Sequence, residues 1–268
     1  PIQVDRQLDN NFRNNYAIMQ KPSFSFSYLG FNLKNEKFKD IRIRQALSLA
    51  IDRQELVDIL FFGYGKVCNG PFLPNSFAYN EDIRTITQDL IKAKELLKEA
   101  GYDENHPFSF EVVTNTGNDI RINAALILQY QLQKAGIKMN IRVMEWQAFL
   151  NTVVHPRNFE AVLLGWSMAL MPDAYPIWHS TSSKLGGFNF VSYENPKVDN
   201  LIEKGNNTVN RDELGKIYKN IFKIITDDLP YLFLYIPDSI SAVNKNIKNI
   251  EPSFIGIMHN QKDWENQE

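Results

Sequence analysis

Phe159-Glu-Ala-Val-Leu-Leu164 is a nearly unbroken apolar run, and Gly165 and Trp166 follow it directly. A strand that is apolar on both faces is buried on both, which calls for a sheet covered by helices on each side. Upstream, Phe108-Ser-Phe-Glu-Val-Val-Thr114 reads as a strand and residues 119–135 as a long helix ended by Gly136. Ile137 to Met144 alternates again as a strand, and another helix starts near Glu145. Strand and helix therefore alternate through the middle of the chain, which is the pattern of an α/β layer domain.

Further out the same two periods recur. Phe24-Ser-Phe-Ser-Tyr28 alternates and Leu29-Gly-Phe-Asn-Leu33 continues it, as a half-buried strand does. Asp40 precedes apolar positions 43, 46, 47, 50 and 51, an N-capped amphipathic helix, and Asp52 caps a second one over 53–62 that Gly63 stops. Residues 64–82, with Gly65, Gly70, Pro71 and Pro74, read as a long irregular excursion. Leu90 to Ala100 is helical and ends at Gly101. Later come a short helix near 175–180, helices over 196–204 and 211–228, a strand over 231–236 and a shorter one over 240–243. Residues 1–22 read as a short helix or a linker, and the last twenty residues carry no regular pattern. One domain over 24–235 is expected, burying Leu47, Ile51, Leu126, Leu132, Val162, Leu163 and Leu164.

Composition narrows the function. The 268 residues carry 29 Lys plus Arg against 31 Asp plus Glu, a net charge of −2, so no basic footprint for nucleic acid or a membrane surface exists. No apolar run reaches the ~18 residues of a membrane-spanning helix. Cys68, the single cysteine, forms no internal disulfide, and the four histidines (106, 155, 179, 259) stand in no close metal-ligand spacing. There is no GxSxG, no GxxxxGK[ST] and no GxGxxG after a strand. Gly63-Tyr-Gly65 is a helix cap and turn. The chain opens Pro1-Ile-Gln-Val without a Met or a signal segment, so it is expected to be a processed or excised piece.

Four places carry candidate chemistry. Cys68 is a nucleophile or a small buried hydrophobe. Asp227-Asp228 is an acid/base or metal pair, or a solvated or Arg-paired loop. His179 is a ligand contact or a capping residue. Trp166-Ser-Met-Ala-Leu-Met-Pro172 leaves the sheet at the carboxyl end of a buried strand, where open α/β sheets place their ligands, or else Trp166 plugs the core.

Phe38-Lys-Asp-Ile-Arg-Ile-Arg-Gln-Ala-Leu-Ser-Leu-Ala-Ile-Asp-Arg53, Gly70-Pro-Phe-Leu-Pro74, Ala93-Lys-Glu-Leu-Leu-Lys-Glu-Ala-Gly-Tyr102, Glu145-Trp-Gln-Ala-Phe-Leu150, Trp178-His-Ser180 and Tyr193-Glu-Asn-Pro-Lys-Val-Asp199 occur in that order. Together, from about 28 to 257, they resemble the extracellular solute-binding proteins of family 5, the dipeptide, oligopeptide and nickel receptors of ABC importers. The resemblance implies a class II periplasmic-binding-protein-like α/β fold. It divides the chain into an N-terminal segment (1–23) leading from an absent first lobe, a second, ligand-binding lobe (24–238) and a C-terminal segment (239–268) returning to the first lobe. The two crossings, near 24–33 and 231–243, should lie side by side.

By the same resemblance the protein captures a peptide or similar small solute between two lobes and delivers it to permease subunits. No cofactor, metal or nucleic acid is expected, the membrane is met only through the permease, and the compartment is the periplasm or the cell surface as a lipoprotein. Trp166, Ser167, Met168, Ala169, Asn115, Thr116, Phe188 and Asn189 are expected to line one concave surface, Phe188 and Asn189 by the resemblance alone. In the family's peptide receptors an Asp three residues after the Trp holds the peptide amine; here that position is Ala169, with Asp173 four residues on. The competing enzyme reading is a hydrolase using Cys68 or the carboxylate pair.

Overall fold

The computed structural model describes residues 10–74, 76–83, 85–253 and 256–267. It begins with α1 (Asn10–Asn15), β1 (Tyr16–Pro22), β2 (Ser25–Phe31), α2 (Ile41–Leu49), α3 (Arg53–Phe61), β3 (Gly65–Val67) and α4 (Leu90–Glu99). The middle holds β4 (Ser109–Asn115), α5 (Asp119–Lys134), β5 (Lys138–Met144), α6 (Trp146–Phe149) and β6 (Ala161–Ser167). Then follow α7 (Tyr175–Trp178), α8 (Pro196–Asn206), α9 (Arg211–Asp228), β7 (Tyr231–Asn244) and the short pair β8 (Ile247–Lys248) and β9 (Glu265–Asn266). Of the expected N-terminal segment 1–23, residues 1–9 lie outside the described residues.

Seven strands form one mixed sheet in the order β1-β7-β2-β6-β4-β5, with β3 paired to β7. β6, β4 and β5 are mutually parallel, and β2 is antiparallel to both β6 and β7. The stretches 24–33 and 231–243 do lie side by side: Tyr28 pairs with Phe233, and Pro22 through Tyr16 pair with Asp238 through Asn244.

Alternation along the strands makes two cores on opposite faces of this sheet. Val162 and Leu164 join Phe26, Tyr28, Tyr231 and Phe233 in the layer covered by α8 and α9. Ala161 and Leu163 join Leu29, Phe31, Leu232 and Leu234 under α2, α3, α4 and α5. Each core draws on residues from both sides of residue 100, Phe26 to Ile236 in one and Leu29 to Tyr235 in the other, so nothing divides there.

The helices start where short polar residues cap them. Asp40 accepts from Arg42 N at 2.9 Å, and Asp52 accepts from Gln54 N and Glu55 N, both at 3.0 Å. Buried guanidiniums then fasten them to neighbouring elements. Arg44 donates through Nε and a terminal nitrogen to Asp228 O at 3.1 and 2.8 Å, filling a carbonyl at the end of α9. Arg53 reaches Phe233 O at 2.9 Å and Ser48 Oγ at 2.8 Å.

Several expectations change. Leu126 is 52% exposed, because α5 turns positions 124, 125, 128, 131 and 132 inward and leaves Leu126 and Tyr130 on the outer face. Residues 65–67 of the expected excursion are a strand, since Gly65 to Val67 find Pro237 to Tyr235 as partners. The two expected C-terminal strands are one. Pro237 interrupts the apolar pattern but stands where β7 exchanges its partner, from β2 to β1. Residues 16–22 are a strand, and the final twenty include a 3-10 segment over Ile257–Asp263.

Gly70 lies against the ring of Phe222: a Cβ there would stand 2.3 Å from Cζ. Gly70→Val should therefore lower unfolding stability in a denaturant titration by about 1–3 kcal/mol through overpacking. An unchanged midpoint would contradict this packing.

Candidate ligand-binding site

The ladder between β4 and β6 covers only Val112↔Ala161 and Val113↔Val162, yet β6 runs on to Ser167 with β2 alone beside it. Two bonds fix which way its backbone points. Asn32 N donates to Glu160 O at 2.9 Å and Met168 N donates to Phe24 O at 2.6 Å, so even-numbered residues of β6 bond to β2. Odd-numbered residues face the side that β4 leaves. Thr114 Oγ1 takes the first of these carbonyls, Leu163 O, at 3.0 Å. Beyond it the N–H and C=O groups of Gly165 and Ser167 form an open strand edge at the carboxyl ends of the parallel strands.

Aromatic rings line one side of this edge. Trp166 stacks on Phe190 at 5.6 Å and Tyr28 at 6.3 Å, meets Phe188 edge-on at 6.0 Å, and donates Nε1–H to Tyr231 Oη at 3.3 Å. Tyr28 in turn stacks on Tyr231 at 3.8 Å, so the indole is fixed from below. Trp166 both closes the core and presents a ring to the surface.

A cation lines the other side. Arg121, in the first turn of α5, lies over Gly165, where a Cβ would stand 3.6 Å from its terminal nitrogen. It donates to Asn115 Oδ1 at 2.5 Å, while its Nε is buried without a partner. Burial lowers its pKa, and the phenols of Tyr235 and Tyr28 oppose that shift. With Ser25, Ser27, Asn118 and Ser167 it borders a cleft of about 690 Å³, open to solvent.

Of the eight expected residues, Trp166, Ser167 and Phe188 meet at the strand edge. Asn115 lies beneath, holding Arg121 and donating to Thr116 O at 2.6 Å, and Thr116 is exposed just past β4. Met168 and Ala169 turn to a second hollow with Pro22, Phe24, Phe72 and Leu73. Asn189 is fully buried: it accepts from Tyr193 N at 2.9 Å and donates to Tyr193 O at 2.8 Å and His179 O at 3.2 Å. It shapes the loop that carries Phe188 and Phe190. Arg121, Ser27 and Tyr235 were not anticipated; the signal available was Arg121 three residues after the cap Asn118, just beyond a strand's carboxyl end.

The candidate catalytic groups have other occupations. Cys68 is buried, its Sγ 3.4 Å from Gly70 O, and burial pushes the thiol up to about 12. Asp227 pairs with Lys223 at 2.6 Å, whereas Asp228 accepts from Tyr193 Oη at 2.5 Å and Asn195 Nδ2 at 2.7 Å. His179 caps the turn after α7, its Nδ1 accepting from Thr181 N at 3.2 Å. Native Cys68 should react with a thiol reagent at pH 8 roughly 10³-fold more slowly than in the unfolded chain, from its protonation alone. Equal labelling rates would contradict that burial.

Residues 1–188 match the family described as bacterial extracellular solute-binding proteins, family 5 middle. The chain is 34% identical over 264 residues to the oligopeptide-binding protein AppA of Bacillus subtilis, covering 94% of this chain and 48% of AppA. It is 28% identical to the nickel-binding protein NikA of Staphylococcus aureus, covering 96% of this chain and 51% of NikA. The structure of Bacillus subtilis AppA in complex with a nonapeptide has a TM-score of 0.82, covering 95% of this chain and 53% of that one. NikZ from Campylobacter jejuni in complex with Ni(L-His) has a TM-score of 0.83 at 28% identity, covering 99% and 56%. The chain spans about half the length of the curated relatives it matches. Among the described residues no helix is long and apolar enough to cross a membrane. A fold of two helical layers on a mixed sheet, with its open strand edge at the parallel strands' carboxyl ends, and this match over residues 1–188 agree: the chain belongs to the bacterial extracellular solute-binding proteins of family 5.

Proposed function

We propose that this chain is a fragment, about half, of the substrate-binding component of an ABC importer, working by binding rather than catalysis. Residues 24–238 act as the ligand-binding lobe, and 1–23 and 239–268 lead to and from a first lobe. The paired strands β1 and β7 fit that reading, because they form a two-stranded ribbon beyond Pro237. The receptor captures a peptide or similar small solute between its lobes, outside the cytoplasmic membrane in the periplasm or at the cell surface, and delivers it to permease subunits.

The open edge at Gly165 and Ser167 carries the peptide reading. An extended peptide adds to such an edge through alternate N–H and C=O groups, which recognise backbone rather than sequence. Trp166 and Phe188 then offer apolar surface to side chains on one side, and Arg121 offers positive charge on the other. A similarity to an oligopeptide-binding protein points the same way.

Native mass spectrometry of the full-length receptor should show a co-purified peptide. Ser167→Pro removes one outward N–H while sparing the ladder to β2, as proline does on an edge. It should leave the melting temperature nearly unchanged and weaken peptide binding in calorimetry by about 3- to 10-fold, one hydrogen bond's worth. Unchanged affinity would overturn the strand-edge reading.

A further inference from the structure

The two faces of the sheet differ at the open edge of β6. Ala161 and Leu163 belong to the core under α5, and Val162 and Leu164 to the core under α8 and α9. By alternation Gly165 faces the α5 side and Trp166 the other. Arg121 covers the Gly165 face: its guanidinium lies over Gly165 and donates to Asn115, the last residue of β4. Trp166 packs against the opposite core, with Phe188 at its edge. The strip between β6 and the end of β4 therefore has a cation on one face and rings on the other.

Among the described residues that cation has no counter-charge. Its bond to Asn115 Oδ1 is its one hydrogen bond there, its Nε is buried without a partner, and no carboxylate borders the cleft. The acids adjoining the lining residues are Asp119, which is exposed, and Asp238. Asp238 accepts from Gln20 Nε2 on one oxygen, while the other is buried without a partner. A half-buried guanidinium in this state bears the desolvation cost of a charge without the pairing that offsets it. Its planar fork is matched to a carboxylate.

A strand added along this edge would lie about 4.8 Å from β6, with neighbouring residues turning their side chains to the same face. The ligand residue beside Gly165 then meets Arg121. The residues before and after it turn to the opposite face and meet Trp166 and Phe188.

We infer that Arg121 selects peptides in which an acidic side chain is flanked on both sides by apolar ones. This rests on the peptide reading above and adds a sequence preference to it. Three heptapeptides with amidated carboxyl ends, titrated calorimetrically into the full-length receptor, provide the test. They are Ser-Leu-Glu-Leu-Glu-Leu-Ser, the same peptide with both Glu replaced by Gln, and the isomer Ser-Leu-Leu-Leu-Glu-Glu-Ser. The alternating Glu peptide should bind about tenfold more tightly than the Gln peptide, the weight of one charge-assisted pair, and more tightly than the isomer. Arg121→Gln should erase the advantage of Glu over Gln. Arg121→Lys, which retains the charge, should retain part of it and so separate loss of charge from loss of fold. Equal affinity for the Glu and Gln peptides, or a preference that survives Arg121→Gln, would overturn the inference alone. So would an isomer that binds as tightly, or a Gln peptide that regains the affinity through a free carboxyl end. Binding of none of these peptides, with a non-peptide ligand found in the purified receptor, would overturn the peptide reading and this inference with it.

Discussion

Strand β2 is hydrogen-bonded along both edges, to β6 and to β7, and its residues from Tyr28 to Phe31 are buried. The constraint is tight enough to exclude a side chain: a Cβ on Gly30 would stand 2.9 Å from the ring of Tyr28 and 3.0 Å from Val191. Through this strand the N-terminal segment, the parallel βα units and the C-terminal strand share one sheet. Because β2 occupies one edge of β6 for its whole length, the other edge is left free wherever β4 falls short. The candidate site is a consequence of that mismatch in strand length.

Around the sheet, polar side chains are buried where they complete backbone bonding that the helices leave open. Gln131 is wholly buried in α5, and it accepts from Asp52 N at 3.0 Å and donates to Asp52 O at 3.1 Å. Arg53 is buried too, and it is surrounded by carbonyls and a hydroxyl rather than by a carboxylate. Desolvation lowers its pKa to about 10, which still leaves it charged at neutral pH. Such groups are costly to leave unmatched, so they fix how α3 and α5 seat on the sheet. The ligand face inherits that rigidity: Arg121 is on α5, and Trp166 is packed between rings from β2 and the loop after α7.

Local signals in the sequence were sufficient where the physics is local. The apolar run at 159–164, the caps Asp40 and Asp52, and the stops at Gly101 and Gly136 all depend on neighbours in sequence, and they stand as read. The existence of β3 depends on a partner about 170 residues away, and the continuity of β7 through Pro237 on one more than 200 residues away. Periodicity carries no trace of such a partner. Leu126 was misplaced because α5 is apolar on more than one side, so its buried face could not be chosen from pattern alone. Trp166 was legible from its place at a strand end. Arg121 was not, because its place beside Gly165 comes from α5 seating over β6, which no local pattern encodes. Asn189 is locked inside its loop, a fact that only the folded loop reveals.

Amide hydrogen exchange on the full-length receptor, read residue by residue with and without the proposed peptide ligand, addresses the strand-edge claim most directly. In the free receptor the amides of Leu164 and Trp166, bonded to β2, should exchange slowly, and those of Gly165 and Ser167 should exchange fast. Peptide binding should slow Gly165 and Ser167 selectively. Fast exchange at both residues in the saturated complex would contradict the account, because the ligand would then be held without using the edge of β6.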